Sequence, residues 1–201
     1  FAVGGYGRGE LFPRSDIDVL VLGAPEQQRR HESGLARFFA LLWDCGLPVS
    51  HAVRSAAECT QASADQTVLT ALIESRPVVA DDTARQALKA AVNVEGLWPP
   101  REFFLAKREE LLARHQRFGD TADNLEPDIK DGPGGLRDLN TLGWMALRAF
   151  GVRDLEALVG LGHLGPDEAA ALKRERCALA RLRFGLHLVA NRPEERLRFD
   201  Y

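Results

Sequence analysis

A run rich in glycine near the start of the chain has the composition of a phosphate-binding turn. Residues 4–9 read GGYGRG, and glycine alone adopts positive φ freely. Without a Cβ, the backbone at Gly4 and Gly5 can approach a ligand closely, and successive N–H groups can hold an anion. A short helix starting near Gly7 would add partial positive charge at the same place. The run therefore predicts a cradle for the phosphates of a nucleoside triphosphate.

Two carboxylates follow the glycine run at the head of an apolar segment. Asp16 and Asp18 alternate with Ile17, and alternate side chains of a strand share one face. Close carboxylates repel each other unless a cation neutralises them. Mg²⁺ binds carboxylate and phosphate oxygens together, and bound ions can clamp the attacking and leaving oxygens of a phosphoryl or nucleotidyl transfer. The pair therefore predicts a Mg²⁺ site.

Two better-known phosphate motifs do not fit the glycine run. A P-loop needs Lys and then Ser or Thr after its last glycine, and a dinucleotide fingerprint counted from Gly5 needs glycine at position 10. Glu10 occupies that position in both comparisons. Taken singly, the run could be a hairpin turn and the aspartates a solvated strand end. Their order and short separation favour the functional interpretation.

The pattern of apolar residues predicts the elements that would position these motifs. The first part alternates strands and helices, and the second contains helices and a loop rich in Pro and Gly. We expect strands at 1–3 (the end of one), 17–22, 47–54 and 78–80, helices at 25–44, 67–75, 83–92, 103–116, 139–150 and 166–191, a turn at 4–9 and a loop at 124–135. The charged run KREELLARHQR (107–117) is typical of a solvated helix face.

This organisation predicts an α+β protein of two domains. Residues 1–96 would form an α/β part with a small mixed sheet, and residues 97–201 an all-helical part. The sequence opens at Phe1 inside a strand-like pattern, so the first domain is expected to be truncated at its N-terminus.

Composition limits the class of protein. The 201 residues carry a net charge of −3 and are 45% hydrophobic, which suits a packed core and gives no reason to expect nucleic-acid binding. No apolar run is long enough to span a membrane. Three widely spaced cysteines favour a reducing compartment.

Gly4-Gly5 followed by Ser15-Asp16-Ile17-Asp18 resembles the nucleotidyltransferase superfamily that includes DNA polymerase β. The longer stretch GGYGRGELFPRSDIDVLVL is similar to the PII uridylyltransferase family. Residues 41–55, 124–151 and 181–200 resemble the same family in the same order, so the resemblance spans nearly the whole chain. The stretch 124–151 is its most specific part.

The resemblance implies a polymerase β-like fold and a cytoplasmic enzyme that transfers UMP from UTP to a tyrosine of the PII signal protein. It implies Mg²⁺ on Asp16 and Asp18, the catalytic pair, and nucleotide binding by Gly4, Gly5, Arg8 and Ser15. In that family a hydrolase domain removes UMP and further domains sense glutamine. Both are expected to lie outside this sequence, which contains no His-Asp pair.

Three points stay open at the level of sequence. Many superfamily members carry a third carboxylate on a later strand, where this chain offers Ser50 and His51. Lys130 and Arg137 flank the loop at 131–135 and would contact the triphosphate or PII, unless the loop is a plain helix-initiating turn. Two other functions remain, a related adenylyltransferase and a nucleotide-binding regulatory module without turnover.

Overall fold

The computed structural model describes residues 1–201 and divides them into two compact units. The first unit comprises residues 1–11 and 15–98, and the second comprises residues 12–14 and 99–201. The elements are α1 (Gly4–Gly7), β1 (Ile17–Leu22), α2 (Pro25–Asp44), β2 (Val49–Arg54), α3 (Ala56–Ala62), α4 (Gln66–Ile73), α5 (Asp82–Val92), α6 (Pro100–Arg117), α7 (Leu136–Phe150), α8 (Leu155–Gly160) and α9 (Pro166–Ala190).

The sheet of the first unit is small. Strands β1 and β2 pair in parallel, with Asp18 opposite Ser50, and α2 makes the crossover that parallel strands require. Ala2 adds isolated antiparallel bridges to Val19 and Arg76. The predicted α+β class is confirmed.

Helix α2 covers one face of this sheet, and its bounds agree with the prediction. Pro25 occupies its first turn, where the missing N–H costs nothing, and Gly46 follows its end with φ +76°. Phe39 is buried, and its ring stacks on His51 of β2 with centroids 3.7 Å apart. Because α2 covers this face of the sheet, only the opposite face is left for the side chains of a site.

The structure corrects several local predictions. A one-turn helix begins at Gly4 rather than near Gly7. Residues 78–80 form no strand, since Val79 is 91% exposed and pairs with nothing at the sheet edge. Helices α3 and α8 were not predicted, because six or seven residues are too short to show a helical period. The Ser55–Glu58 capping box that starts α3 was a readable signal.

The second unit is built from helices α6 to α9 and the loop before α7. Phe103, Trp144 and Leu186 contribute to its core, and α7 packs against both α6 and α9. An isolated antiparallel bridge joins Asp128 to Arg196. None of the helices combines the length and apolar character needed to cross a membrane.

Candidate active site

The glycine turn and the second aspartate lie in contact. Gly4 has φ +55°, and a Cβ built on it would lie 2.9 Å from Asp18 Oδ2. The N–H of Val3 donates to the carbonyl of Asp18 at 3.0 Å. The structure therefore brings together two motifs that lie fourteen positions apart in the chain, with bare backbone beside a carboxylate.

The two aspartates stand at the start of β1. Asp16 precedes the strand and is exposed, and Asp18 is the second residue of the strand and is half-buried. Ser50 is the register partner of Asp18, and such partners in parallel strands point to the same face. No group of three or more His, Cys, Asp or Glu side chains is arranged to hold a metal ion. A hydroxyl therefore stands beside Asp18 on β2.

The histidine on β2 faces the other way. Strand alternation puts His51 on the face opposite Ser50, and its ring contacts those of Phe39 and Trp43 of α2. His51 therefore packs α2 onto the sheet.

Arg8, within the glycine turn, forms ion pairs with two glutamates of the first unit. Its Nη1 lies 2.6 Å from Glu74 Oε2, and its Nε lies 2.8 Å from Glu10 Oε2. Burial alone would lower the pKa of Arg8, but Glu74 and Glu10 raise it above its ordinary value. The guanidinium is therefore charged and held in place. Nucleotide binding by Arg8, and by the half-buried Ser15, stays a prediction.

The loop before α7 is held by close backbone contacts. Asp128 Oδ1 accepts hydrogen bonds from the N–H groups of Lys130 and Asp131, at 3.0 and 2.7 Å. A Cβ on Gly132 would lie 2.5 Å from the carbonyl oxygen of Asp128, and one on Gly135 would lie 2.8 Å from that of Lys130. Any other residue would collide with these carbonyls, so both glycines are required by the fold of the loop.

Both cations that flank this loop have carboxylate partners within the second unit. Lys130 Nζ lies 3.3 Å from Glu195 Oε1, and Arg137 Nε lies 3.0 Å from Asp131 Oδ1. Each side chain keeps about a third of its surface exposed, 32% for Lys130 and 31% for Arg137. Contact with the triphosphate or PII stays a prediction for both.

The interpretation of 107–117 as a solvated face was wrong for two of its cations. Lys107 and Arg114 are 2% and 4% exposed, and their spacing of seven puts them on one helix face. Lys107 Nζ lies 4.9 Å from the Trp144 ring centre. That spacing was the signal available in the sequence.

Asp138 of α7 joins this buried network. It accepts from Arg114 Nη2 at 2.6 Å and lies 3.0 Å from His115 Nε2. Burial alone would raise the pKa of Asp138, but the hydrogen bonds from Arg114, His115 and the Gly134 N–H lower it below its ordinary value. Sequence reasoning missed this group because its members come from two helices.

Two family models match the chain in separate segments. One, described as GlnD PII-uridylyltransferase, matches residues 102–201. The other, described as a nucleotidyltransferase domain, matches residues 1–79. The second match covers both the glycine turn and the two aspartates.

Similar curated proteins carry one description. A bifunctional uridylyltransferase/uridylyl-removing enzyme of Xanthomonas campestris pv. campestris (strain B100) is 81% identical over 100% of this chain. One of Pseudomonas entomophila (strain L48) is 48% identical, again over 100% of this chain. The chain spans 23% and 22% of the length of these two relatives. No solved structure matches it significantly. On these similarities, residues 1–79 form a nucleotidyltransferase domain and residues 102–201 match the PII uridylyltransferase family.

Proposed function

We propose that this protein transfers UMP from UTP to a tyrosine of the PII signal protein in a Mg²⁺-dependent reaction that releases pyrophosphate in the cytoplasm. The contact of Gly4 with Asp18 carries the proposal, because a nucleotidyl transfer needs phosphate-binding backbone beside a metal-binding carboxylate. The names of the similar proteins support uridylyl transfer, and the nucleotidyltransferase match supports the reaction class.

Asp16 and Asp18 would hold Mg²⁺. Their oxygens are the hard donors that Mg²⁺ prefers, and Gly4 brings backbone without a side chain close to Asp18 Oδ2. When bound, the ion would offset the negative charge of the triphosphate. Ser50 lies opposite Asp18 on β2, and Asp16, immediately before β1, would supply the second carboxylate.

The remaining residues would act by binding and orientation. The backbone at Gly4 and Gly5 would cradle the phosphates, with Arg8 and Ser15 contacting the nucleotide. Lys130 and Arg137 would approach the triphosphate or PII through their exposed surface. The tyrosine oxygen of PII would attack the α-phosphate in line. Catalysis would then come mainly from positioning, which can supply several kcal/mol, up to about 10.

The test uses the full-length protein with labelled UTP or ATP, Mg²⁺ and purified PII. Asp16→Asn and Asp18→Asn are each expected to reduce transfer by at least about 100-fold. Their thermal unfolding should remain near that of the wild type, because the lost charge is one that repels its neighbour. Asp82→Asn, at an exposed carboxylate of the same unit, serves as the matched control and should transfer normally.

The other outcomes separate the rival functions. Transfer from ATP in preference to UTP would identify an adenylyltransferase. Binding of UTP without any transfer to PII would identify a regulatory module, the function that two carboxylates in place of three would favour. Normal transfer by either asparagine variant would refute the metal assignment.

A further inference from the structure

A three-residue strap connects the two halves of the candidate site. We use this name for Phe12, Pro13 and Arg14, which follow the glycine turn and immediately precede Ser15 and Asp16. The flanking residues 1–11 and 15–98 belong to the first unit, but the strap itself belongs to the second. Its contacts with α9 therefore restrain a segment whose two ends carry the site.

Phe12 anchors the first end of the strap. The guanidinium of Arg183 lies 4.2 Å from the centre of the Phe12 ring, within the range of a cation–π contact. The His187 ring meets the same ring edge-on, with centroids 6.0 Å apart. Phe12 is thus held by two side chains one helical turn apart on α9.

Arg14 anchors the other end. Its backbone N–H donates to His187 Nδ1 at 3.3 Å, and its guanidinium donates to the side-chain oxygen of Asn191. Asn191 caps α9 in the left-handed conformation, with φ +53°. Because Pro13 between the anchors has a fixed φ, the strap has little freedom once both ends are held.

His187 is suited to act as an acceptor for the strap. Its side chain is fully buried, and burial lowers its pKa below the ordinary value although Glu195 nearby acts in the opposite direction. The ring is therefore neutral near pH 7, which leaves Nδ1 free to accept the Arg14 N–H. Nε2 then carries the proton, 3.7 Å from Glu195 Oε1.

Arg183 is itself held by a carboxylate that also binds the loop before α7. Its Nε and Nη2 donate to the two oxygens of Glu195, at 2.7 and 2.5 Å. Lys130 Nζ reaches the same carboxylate at 3.3 Å. A continuous set of paired groups thus runs from the loop to the strap, and such networks rigidify what they connect.

We propose that His187 and Arg183 are positioning residues, which fix Ser15 and Asp16 for nucleotidyl transfer by anchoring the strap to α9. Arg14 and Asp16 are two residues apart, so the anchored N–H lies within about 7 Å of chain from the carboxylate-bearing residue. A displacement of about 1 Å at a reacting group can cost up to about 100-fold in rate. The proposal rests on the proposed transferase function.

The first experiment measures kcat and the KM for UTP in the full-length protein. His187→Leu keeps apolar volume and removes the acceptor, so we expect kcat to fall about tenfold with the KM for UTP changed less than about twofold. His187→Asn places an amide oxygen where Nδ1 stood and should restore at least half of the lost activity. Phe12→Leu tests the other anchor without touching the core of α9 and should lower kcat in the same way.

Leu186→Ala is the matched control for stability. Leu186 is buried at the neighbouring position of α9, about 100° around the helix from His187. It should lower the Tm at least as much as His187→Leu while leaving kcat near normal at temperatures well below the Tm. An equal loss of kcat in Leu186→Ala, or a normal kcat in both His187→Leu and Phe12→Leu, would show that the strap does not position the site.

A second readout does not depend on activity. In the wild type, the Arg14 amide should be protected from hydrogen exchange, and His187→Leu should increase exchange in the peptide covering residues 12–18 while Leu186→Ala does not. Unchanged exchange in His187→Leu would overturn the proposal whatever the enzyme does. Increased exchange in a protein that transfers no UMP would instead show that the anchor exists and that the proposed function is wrong.

Discussion

At the scale of single residues, Gly4 is under two constraints at once. Its φ of +55° disfavours any side chain, and a Cβ there would lie 2.9 Å from Asp18 Oδ2. Gly9 has a similar φ of +76°, but a Cβ there would meet nothing within 4 Å. A substitution at Gly9 therefore introduces backbone strain alone, whereas a substitution at Gly4 introduces the same strain and also crowds Asp18, the candidate metal ligand.

Gly4→Ala is therefore expected to abolish or nearly abolish transfer, whereas Gly9→Ala loses only about 1 kcal/mol of stability from left-handed strain. The measurements are kcat/KM for UTP and the free energy of unfolding of both variants. Equal activity in the two variants would mean that the close approach of Gly4 to Asp18 is not needed for transfer. The glycine turn would then have only a structural role.

At the scale of elements, the loop before α7 raises the question of what its cations do. Arg137 pairs with Asp131 across the loop and also lies 5.9 Å from the Trp144 ring centre. If Arg137 only stabilises the loop, then removing either partner of the ion pair should change the KM for UTP equally. If it contacts the nucleotide, only the loss of the cation should raise the KM for UTP.

We expect Arg137→Ala to raise the KM for UTP by about tenfold, the equivalent of one charge-assisted hydrogen bond. Asp131→Asn keeps the cation and should leave the KM nearly unchanged. Lys130→Ala, which leaves the Arg183–Glu195 pair in place, tests the other cation in the same assay. Matching changes within a pair would assign that cation to the structure of the loop alone.

The helix predictions were correct where proline or glycine marked the helix ends and the helix was long enough to show its period. Helix α2 begins at Pro25 and is followed by Gly46, so both ends were marked in the sequence. Helix α1 has one turn and begins on glycine, a residue that local propensity places in turns. Contact with β1, not propensity, decides its conformation.

At the scale of the whole molecule, Asp138 should link stability to pH. Its pKa is lowered in the folded protein, so the unfolded chain binds the proton more tightly. The stabilisation is therefore fully present above the unfolded pKa, near 4, and is lost as pH falls through the lower folded pKa. Arg114 is the cationic partner of this carboxylate, and His115 Nε2 lies 3.0 Å from it.

Asp138→Asn is accordingly expected to lower the free energy of unfolding by about 2 kcal/mol at pH 7, with the difference from the wild type narrowing below about pH 4. Denaturant unfolding at several pH values measures this. Asp123→Asn, an exposed carboxylate of the same unit, should show no such narrowing. A difference for Asp138→Asn that stays constant down to pH 3 would contradict the assigned pKa direction.

The sequence by itself determined the fold class, the family, the main helices, and the pairing of a glycine turn with two carboxylates, because each is encoded in local spacing or in a long matching stretch. Only the tertiary structure decided that Gly4 contacts Asp18, that Ser50 stands beside it, and that the residues of the strap pack on α9. It also decided that Lys107 and Arg114 are buried. These facts depend on which elements pack together, and a contact between residues far apart in the chain leaves no periodic signal in either segment.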